Sequence, residues 1–320
     1  MPHVEARLIV ERPGNARIVQ PHRRNARVHR GFDLAVGEAA GADVAGPAAV
    51  PQFLRSQGAL DLSFRLRGGR SVIDRSYQSG CLRMRLPRAE SPAEAPCAVL
   101  INTAGGVAEG DSLDQRIAWG EDTVATVTTQ AAEKVYRALA RGCAISTRLS
   151  VERGARAEWL PQETILFDAC RLRREARIML AEDVTFLGVE SIVLGRTAMG
   201  EHVRSGALRD ALRIWRGGRL IYADALALDG DIAALMRRAA IGGGARAMAV
   251  IVHASDGAAA LRDPVRDALE QAEGLGAASC WNGLLAVRLI APDGEVLRHD
   301  VALALSVLRE GRPLPRVWRC

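Results

Sequence analysis

Ile117-Ala118-Trp119-Gly120-Glu121-Asp122-Thr123 is the stretch on which the fold turns, because its pattern comes back twice. Leu149-Ser150-Val151 runs into Glu152-Arg153-Gly154 and a second apolar run from Ala155, and Ile178-Met179-Leu180 runs into Ala181-Glu182-Asp183 and another from Val184. Each unit reads as a strand, a polar turn and a second strand. The units are offset by about 30 residues, a period at which supersecondary units stack. Stacked units would set equivalent residues in ladders. The second strands end in polar segments: Thr128-Thr129-Gln130 with Lys134, Tyr136 and Arg137; Gln162-Glu163 with Asp168; and Glu190 leading to Arg196 and Glu201-His202. Stacking predicts that Glu163, Asp168, Glu201 and Lys134 gather at one edge and line one groove, with Asp111 nearby.

Outward from the repeat, the pattern stays mainly β. Leu60, Leu62, Phe64 and Leu66 alternate before a Gly68-Gly69 turn, and the chain resumes through Val72 toward Leu82, Met84 and Leu86, as in a hairpin. Pro87 to Pro96 reads as a loop and 98–102 as a short buried strand. A hairpin is expected around Gly217-Gly218, a helix over 231–240, a strand over 247–252 and a helix from Asp263-Pro264 to about Glu273. Asn282-Gly283 signals a type I′ hairpin, and 301–309 has helical spacing. The fold expected is a β-helix-like stack of strands and hairpins with two to three peripheral helices, mostly C-terminal. Residues 1–57 combine arginines with an Ala/Gly/Val/Pro tract and read as a flexible arm and linker, leaving 58–320 as one β-rich domain.

The chain has 320 residues, 48% hydrophobic content and only 4% aromatics, enough for a sizeable core packed from small and branched aliphatics. Its formal charge is +6, with 37 acidic residues interspersed among 43 basic ones. That mixture predicts no long basic stripe of the kind that marks a nucleic-acid groove, and an anionic protein is at least as good a candidate partner as a polyanion. All the basic residues but one are arginine; Lys134 is the exception. A compact ammonium there, beside two threonines, a glutamine and a glutamate, suggests a site where the planar guanidinium fork would not serve, the alternative being compositional drift that left one lysine by chance. The six cysteines show no CxxC pair, which with no secretory signal apparent suggests reduced thiols in the cytoplasm. No apolar run is long enough to span a bilayer, so no membrane partner is expected.

Gly105 and Gly110 have the spacing of a phosphate loop, but Asp111 stands where that loop requires lysine and would repel a phosphate. No nucleotide is therefore expected there. The alternative is a turn in which glycines take positive φ and Asp111 caps backbone amides.

Five stretches, taken in order, resemble the urease accessory protein D family, called H in some bacteria. They are Gly105-Gly106-Val107 with Gly110-Asp111; 128–137; Glu158-Trp159-Leu160-Pro161-Gln162-Glu163-Thr164-Ile165-Leu166-Phe167; Gly195-Arg196 with Gly200-Glu201 and Gly206; and Leu314-Pro315-Arg316-Val317-Trp318. Together they span about 58–319. The resemblance implies a non-catalytic role in urease maturation, in a complex with accessory protein F and the GTPase accessory protein G, helping to deliver nickel to apo-urease. It also implies an internal tunnel as the nickel path. Carried over by position, Asp111, Glu158, Glu163 and Glu201 are the candidates along that path. Thr128, Thr129, Gln130, Lys134, Tyr136, Arg137, Gln162, Asp168 and Arg196 would support its wall, with Lys134 and Arg137 balancing buried carboxylates. Nickel in transit suits scattered carboxylates, since a closed thiolate or imidazole cage would trap it. Ala108-Glu109 and Glu133 depart from the family pattern and add charge near the path. The competing reading is a polysaccharide lyase or glycosidase using Asp/Glu with Lys/Arg, against which the scarcity of sugar-stacking aromatics counts.

Overall fold

A computed structural model describes residues 55–88 and 94–319. The proposed arm through residue 54 lies outside the described residues. The first strand begins at Gln57, next to the domain start read at Gly58.

The repeat is real and its register is the one the pattern demands. Strands β5 (Ser112–Trp119), β8 (Cys143–Val151) and β11 (Cys170–Leu180) run parallel, with Ile117 beside Leu149 beside Ile178 and Trp119 beside Val151 beside Leu180. Their partners β6 (Val124–Thr129), β9 (Arg156–Leu160) and β12 (Thr185–Leu194) are also parallel, pairing Val124 with Arg156 and Arg156 with Thr185. A third, shorter face stacks β7 (Glu133–Val135) against β10 (Thr164–Leu166) and the end of β12. The result is a β-solenoid of about four turns. Because strand side chains alternate, keeping this register keeps one apolar set facing inward in every coil.

The first sheet has seven strands. Its outer members are the hairpin β1 (Gln57–Arg67) and β2 (Arg70–Gly80) on one side, and β13 (Gly206–Arg216) with β14 (Arg219–Asp229) on the other. The second sheet has ten strands and adds β3 (Leu82–Arg85), β4 (Cys97–Asn102), β15 (Ala247–Ala254), β16 (Leu275–Trp281) and β17 (Leu284–Ala291). Between the sheets lies the larger core, with Leu62, Phe64, Ile117, Trp119, Phe186 and Ile214 almost fully buried. A second core sits on the outer face of the ten-stranded sheet, where Val189, Ile251 and Val287 meet the helices.

The helices differ from their sequence limits. Helix α1 covers only Ile232–Met236, capped by Asp231, whose carboxylate accepts from Ala234 N; the chain then turns through residues 237–244. Helix α2 is Arg262–Leu269, led in by a 3-10 turn over Ala258–Leu261, so it starts before Asp263 and stops short of Glu273. Helix α3, Gly294–Leu308, starts a full two turns before residue 301 because Asp293 is an N-cap, accepting from the amides of Glu295 and Val296. Leu66 and Leu86, expected inward, are exposed: Leu66 lies past the pairing of Phe64 with Trp119, the last between β1 and β5, and Leu86 past the end of β3. The type I′ signal holds, with Asn282 and Gly283 both at positive φ.

Past α3 the chain crosses back over the ten-stranded sheet. Trp318 is buried there, and its indole Nε1 donates to Leu160 O at 3.0 Å and Thr128 Oγ1 at 3.2 Å. Trp318→Ala should lower stability by about 3–5 kcal/mol through loss of a buried aromatic. Trp318→Phe, which loses the two hydrogen bonds but keeps much of the packing, should cost clearly less; urea unfolding of both variants checks the order.

Candidate functional site

The space between the sheets is not uniformly apolar. Gln115, Thr147, Arg174, Glu190, Asp210, Asp224 and Arg288 point into it from β5, β8, β11, β12, β13, β14 and β17, and with Trp159 and Tyr222 they make a polar seam through the core. Arg174, only 7% exposed, is its hub: Nε and Nη2 donate to the two oxygens of Asp210 at 2.9 and 2.7 Å, and Nη1 reaches Glu190 Oε2 at 2.8 Å and Thr164 Oγ1 at 3.1 Å. Trp159 Nε1 donates to the other Glu190 oxygen at 3.0 Å. Further along, Arg288 pairs with Asp224 at 2.8 Å, and the Tyr222 hydroxyl donates to Asp224 at 3.2 Å.

Two cavities open along this seam. One, of about 140 Å³, is bordered by Asn102, Gln130, Glu133, Lys134, Arg174 and Glu190; the other, of about 230 Å³, by Arg174, Glu190, Asp210, Asp224 and Arg288 together with aliphatic side chains. Both are lined by Arg174 and Glu190, so the hub stands where they adjoin. The charges in the second do not cancel, since three carboxylates face two guanidiniums. A low-dielectric interior answers such an excess with a proton or a cation. Burial, then repulsion from Asp210, raises the Glu190 carboxyl even against Arg174, whereas for Arg174 the pull of burial is overcome by Asp210 and Glu190, which hold it charged. Burial also pushes Glu133 up to about 7, its Asn102 hydrogen bond and Lys134 only partly opposing.

The carboxylates singled out from sequence are elsewhere. Stacking does bring their segments to one edge, but they do not share a groove. Asp111 caps its loop, accepting from Ser56 N at 2.7 Å and Ala108 N at 2.8 Å, as the capping reading of Gly105–Asp111 anticipated. Glu158 lies on the outer face of β9, toward α3, where Thr126 Oγ1 (2.6 Å), Arg309 (3.0 Å) and Arg312 (2.9 Å) hold it. Burial alone would raise its carboxyl, but Arg309 takes it below the usual range. Glu163 pairs with Arg298 at 3.3 Å, and Gln162 joins the same cluster, accepting from Arg298 and donating to Val317 O. Glu201 receives Arg196 in a two-pronged pair at 2.8 and 3.1 Å and the amide of Asp168, whose own carboxylate accepts from Ser205 N. The Arg196 guanidinium then covers the Phe167 ring, against which Tyr136 packs edge-on while its hydroxyl donates to Gly105 O.

The expected balancing role is met only in part by Lys134, which partly offsets the burial of Glu133, and not by Arg137. Both are exposed, and the buried acids are matched by Arg174, Arg298, Arg309 and Arg312. The reason is geometric: a planar fork reaches two carboxylate oxygens at once, which an ammonium does not. Of the proposed wall, Thr129, Gln130, Lys134 and Gln162 do border the smaller cavity. Thr128 is fully buried on the other face, donating to Leu160 O at 2.6 Å. Sequence reading passed over Arg174, Asp210, Asp224 and Arg288. The signal was present, a charged residue at an inward position of an alternating strand, but only with the strand parity known. Among the described residues no group of three or more His, Cys, Asp or Glu side chains could hold a metal ion, and no helix is long and apolar enough to cross a membrane.

Arg309→Met should cost about 1.5–3 kcal/mol by removing the charge-assisted hydrogen bonds of the more buried of the two arginines on Glu158, Arg312 remaining, and adding Glu158→Gln should restore part of that; denaturant unfolding of the single and double variants decides it. The Arg196 pair depresses the Glu201 carboxyl to about 2, so its stabilisation is complete above an unfolded value of about 4.3 and disappears as pH falls toward the folded one. The melting-temperature gap between wild type and Glu201→Gln should accordingly be widest near neutrality and close in acid.

Comparison with known proteins agrees with the five-stretch signature. A family model described as UreD urease accessory protein matches residues 56–319. Urease accessory protein UreD of Azorhizobium caulinodans is 43% identical over 271 residues, covering 85% of this chain and 99% of that protein. The Rhizobium etli protein of the same name is 45% identical over 265 residues, 82% of this chain and 95% of its own, and that of Xanthobacter autotrophicus 45% over 264 residues, 82% and 90%. With the family model matching nearly all of the described chain, the protein belongs to the UreD urease accessory protein family.

Proposed function

We propose that this chain is a non-catalytic component of a cytoplasmic nickel metallochaperone complex, binding accessory proteins F and G and apo-urease and helping route nickel into the urease active site. GTP hydrolysis belongs to the partner G protein in this reading. Nickel is cargo, held transiently. The observation that carries the route is the pair of interior cavities meeting at Arg174 and Glu190. Oxygen donors there are already engaged by guanidiniums, so a passing divalent ion competes for them and is held loosely, as transit requires. In this reading the route runs between the sheets past Glu190, Asp210 and Asp224, which border the larger cavity, whereas Asp111, Glu158, Glu163 and Glu201 do not border it.

The test is a plug. Ala176 is buried and borders the larger cavity. Ala176→Phe would fill it at a cost of about 1–3 kcal/mol in overpacking. In a purified activation assay the variant should still co-purify with accessory protein F while nickel-dependent activation of apo-urease falls at least severalfold. Undiminished activation would refute the interior route.

A further inference from the structure

The two sheets differ on their outer faces: α2 and α3 close over the ten-stranded sheet, while among the described residues no helix packs on the middle strands of the seven-stranded one. On that bare face the stacking register does something the linear sequence conceals. Arg116 on β5 stands beside Arg148 on β8, Arg148 beside Arg177 on β11, and Arg177 beside Arg213 on β13. Four arginines from four coils thus form one row, repeated at the strand spacing of about 4.8 Å. Their side chains are 42–59% exposed. Two rows away, beyond the row that holds Asp114 and Glu175, Arg173 stands beside Arg209.

This row is not a stability device. Like charges directly opposed across neighbouring strands destabilise a sheet. The chain relieves that repulsion incompletely: Asp114 is shared by Arg116 and Arg148, and Glu175 by Arg177 and Arg213. Two carboxylates for four guanidiniums leave donors unengaged.

From this we infer that the outer face of the seven-stranded sheet is a docking surface for a protein partner presenting a row of carboxylates. Planar forks at strand spacing suit carboxylates displayed from a helix or sheet, each able to accept two parallel hydrogen bonds. A nucleic acid is the poorer match. Asp114 and Glu175 stand in the row beside the arginines and repel a dense phosphate chain; the flanking outward positions Ala118, Ala144, Ser146 and Ser150 carry no ring, and Tyr77 on β2 and Trp215 on β13, which do, stand five strands apart, too far to stack successive bases. This surface lies outside the nickel route, and the inference stands without it.

The experiment compares the full chain with two variants of equal charge. One replaces the ladder (Arg116→Gln, Arg148→Gln, Arg177→Gln, Arg213→Gln). The other replaces four exposed arginines elsewhere (Arg141→Gln, Arg153→Gln, Arg237→Gln, Arg238→Gln). Exposed ion pairs contribute about 1 kcal/mol at most, so both should fold, which circular dichroism confirms. Binding to a polyglutamate peptide at low ionic strength should weaken about tenfold or more in the ladder variant and little in the control. Capture of accessory protein F and of apo-urease, measured in parallel, should fall for at least one of them in the ladder variant alone. Equal losses in the two variants would reduce the ladder to general charge and overturn the inference. So would a loss of binding confined to duplex DNA or anionic vesicles. Failure of the wild type to capture either protein would count against the proposed function instead, with the polyglutamate arm still deciding the surface.

Discussion

Parallel hydrogen bonding between successive coils, in a register that never slips, is the constraint on which everything else in this molecule depends. A one-residue shift in any coil would exchange its inward and outward side chains. Ile117, Leu149 and Ile178 would leave the core, and Arg174 would leave the seam. Because the register is kept, residues separated by about 30 positions in sequence behave as neighbours, and the chain can build extended features from one residue per coil.

Two such features lie on opposite faces of the seven-stranded sheet, the inner one shared with the ten-stranded sheet across from it. Inward, Arg174 and Glu190 with Asp210, Asp224 and Arg288 set charge in a core that hydrophobic residues could have filled more cheaply. Outward, Arg116, Arg148, Arg177 and Arg213 line up like charge where scattered placement would have cost less. Neither arrangement serves stability. Both are what a protein that handles a cation inside and an acidic surface outside would carry. The stabilising work falls to the two aliphatic cores and to the C-terminal crossing, where Arg298, Arg309 and Trp318 fasten the tail to Gln162, Glu163, Glu158 and Thr128.

The architecture was legible in the sequence because a solenoid repeats its instructions. The strand pairs from Ile117, Leu149 and Ile178, the Gly68-Gly69 and Gly217-Gly218 turns and the Asn282-Gly283 hairpin all follow from local pattern. Helix limits were less legible: Asp293 works as a cap through its backbone geometry, and helix α1 ends where the chain turns into Gly242-Gly243-Gly244. The polar interior was largely hidden. Glu158 and Trp159 are adjacent in one strand, yet one faces α3 and the other the seam. Polarity at a strand end says nothing about which side it faces until neighbouring coils fix the parity. Lys134 stood out by its rarity and does border the smaller cavity, but the work of pairing buried acids belongs to arginines too numerous for any one to draw notice.

The central claim, that acids from separate coils border one interior path for a divalent ion, can be put to a direct measurement. Crystals of the protein soaked in a nickel salt, with diffraction recorded at the nickel absorption edge, should show anomalous density between the sheets beside Glu190, Asp210 or Asp224. Density confined to the outer surface, with none between the sheets, would contradict the account.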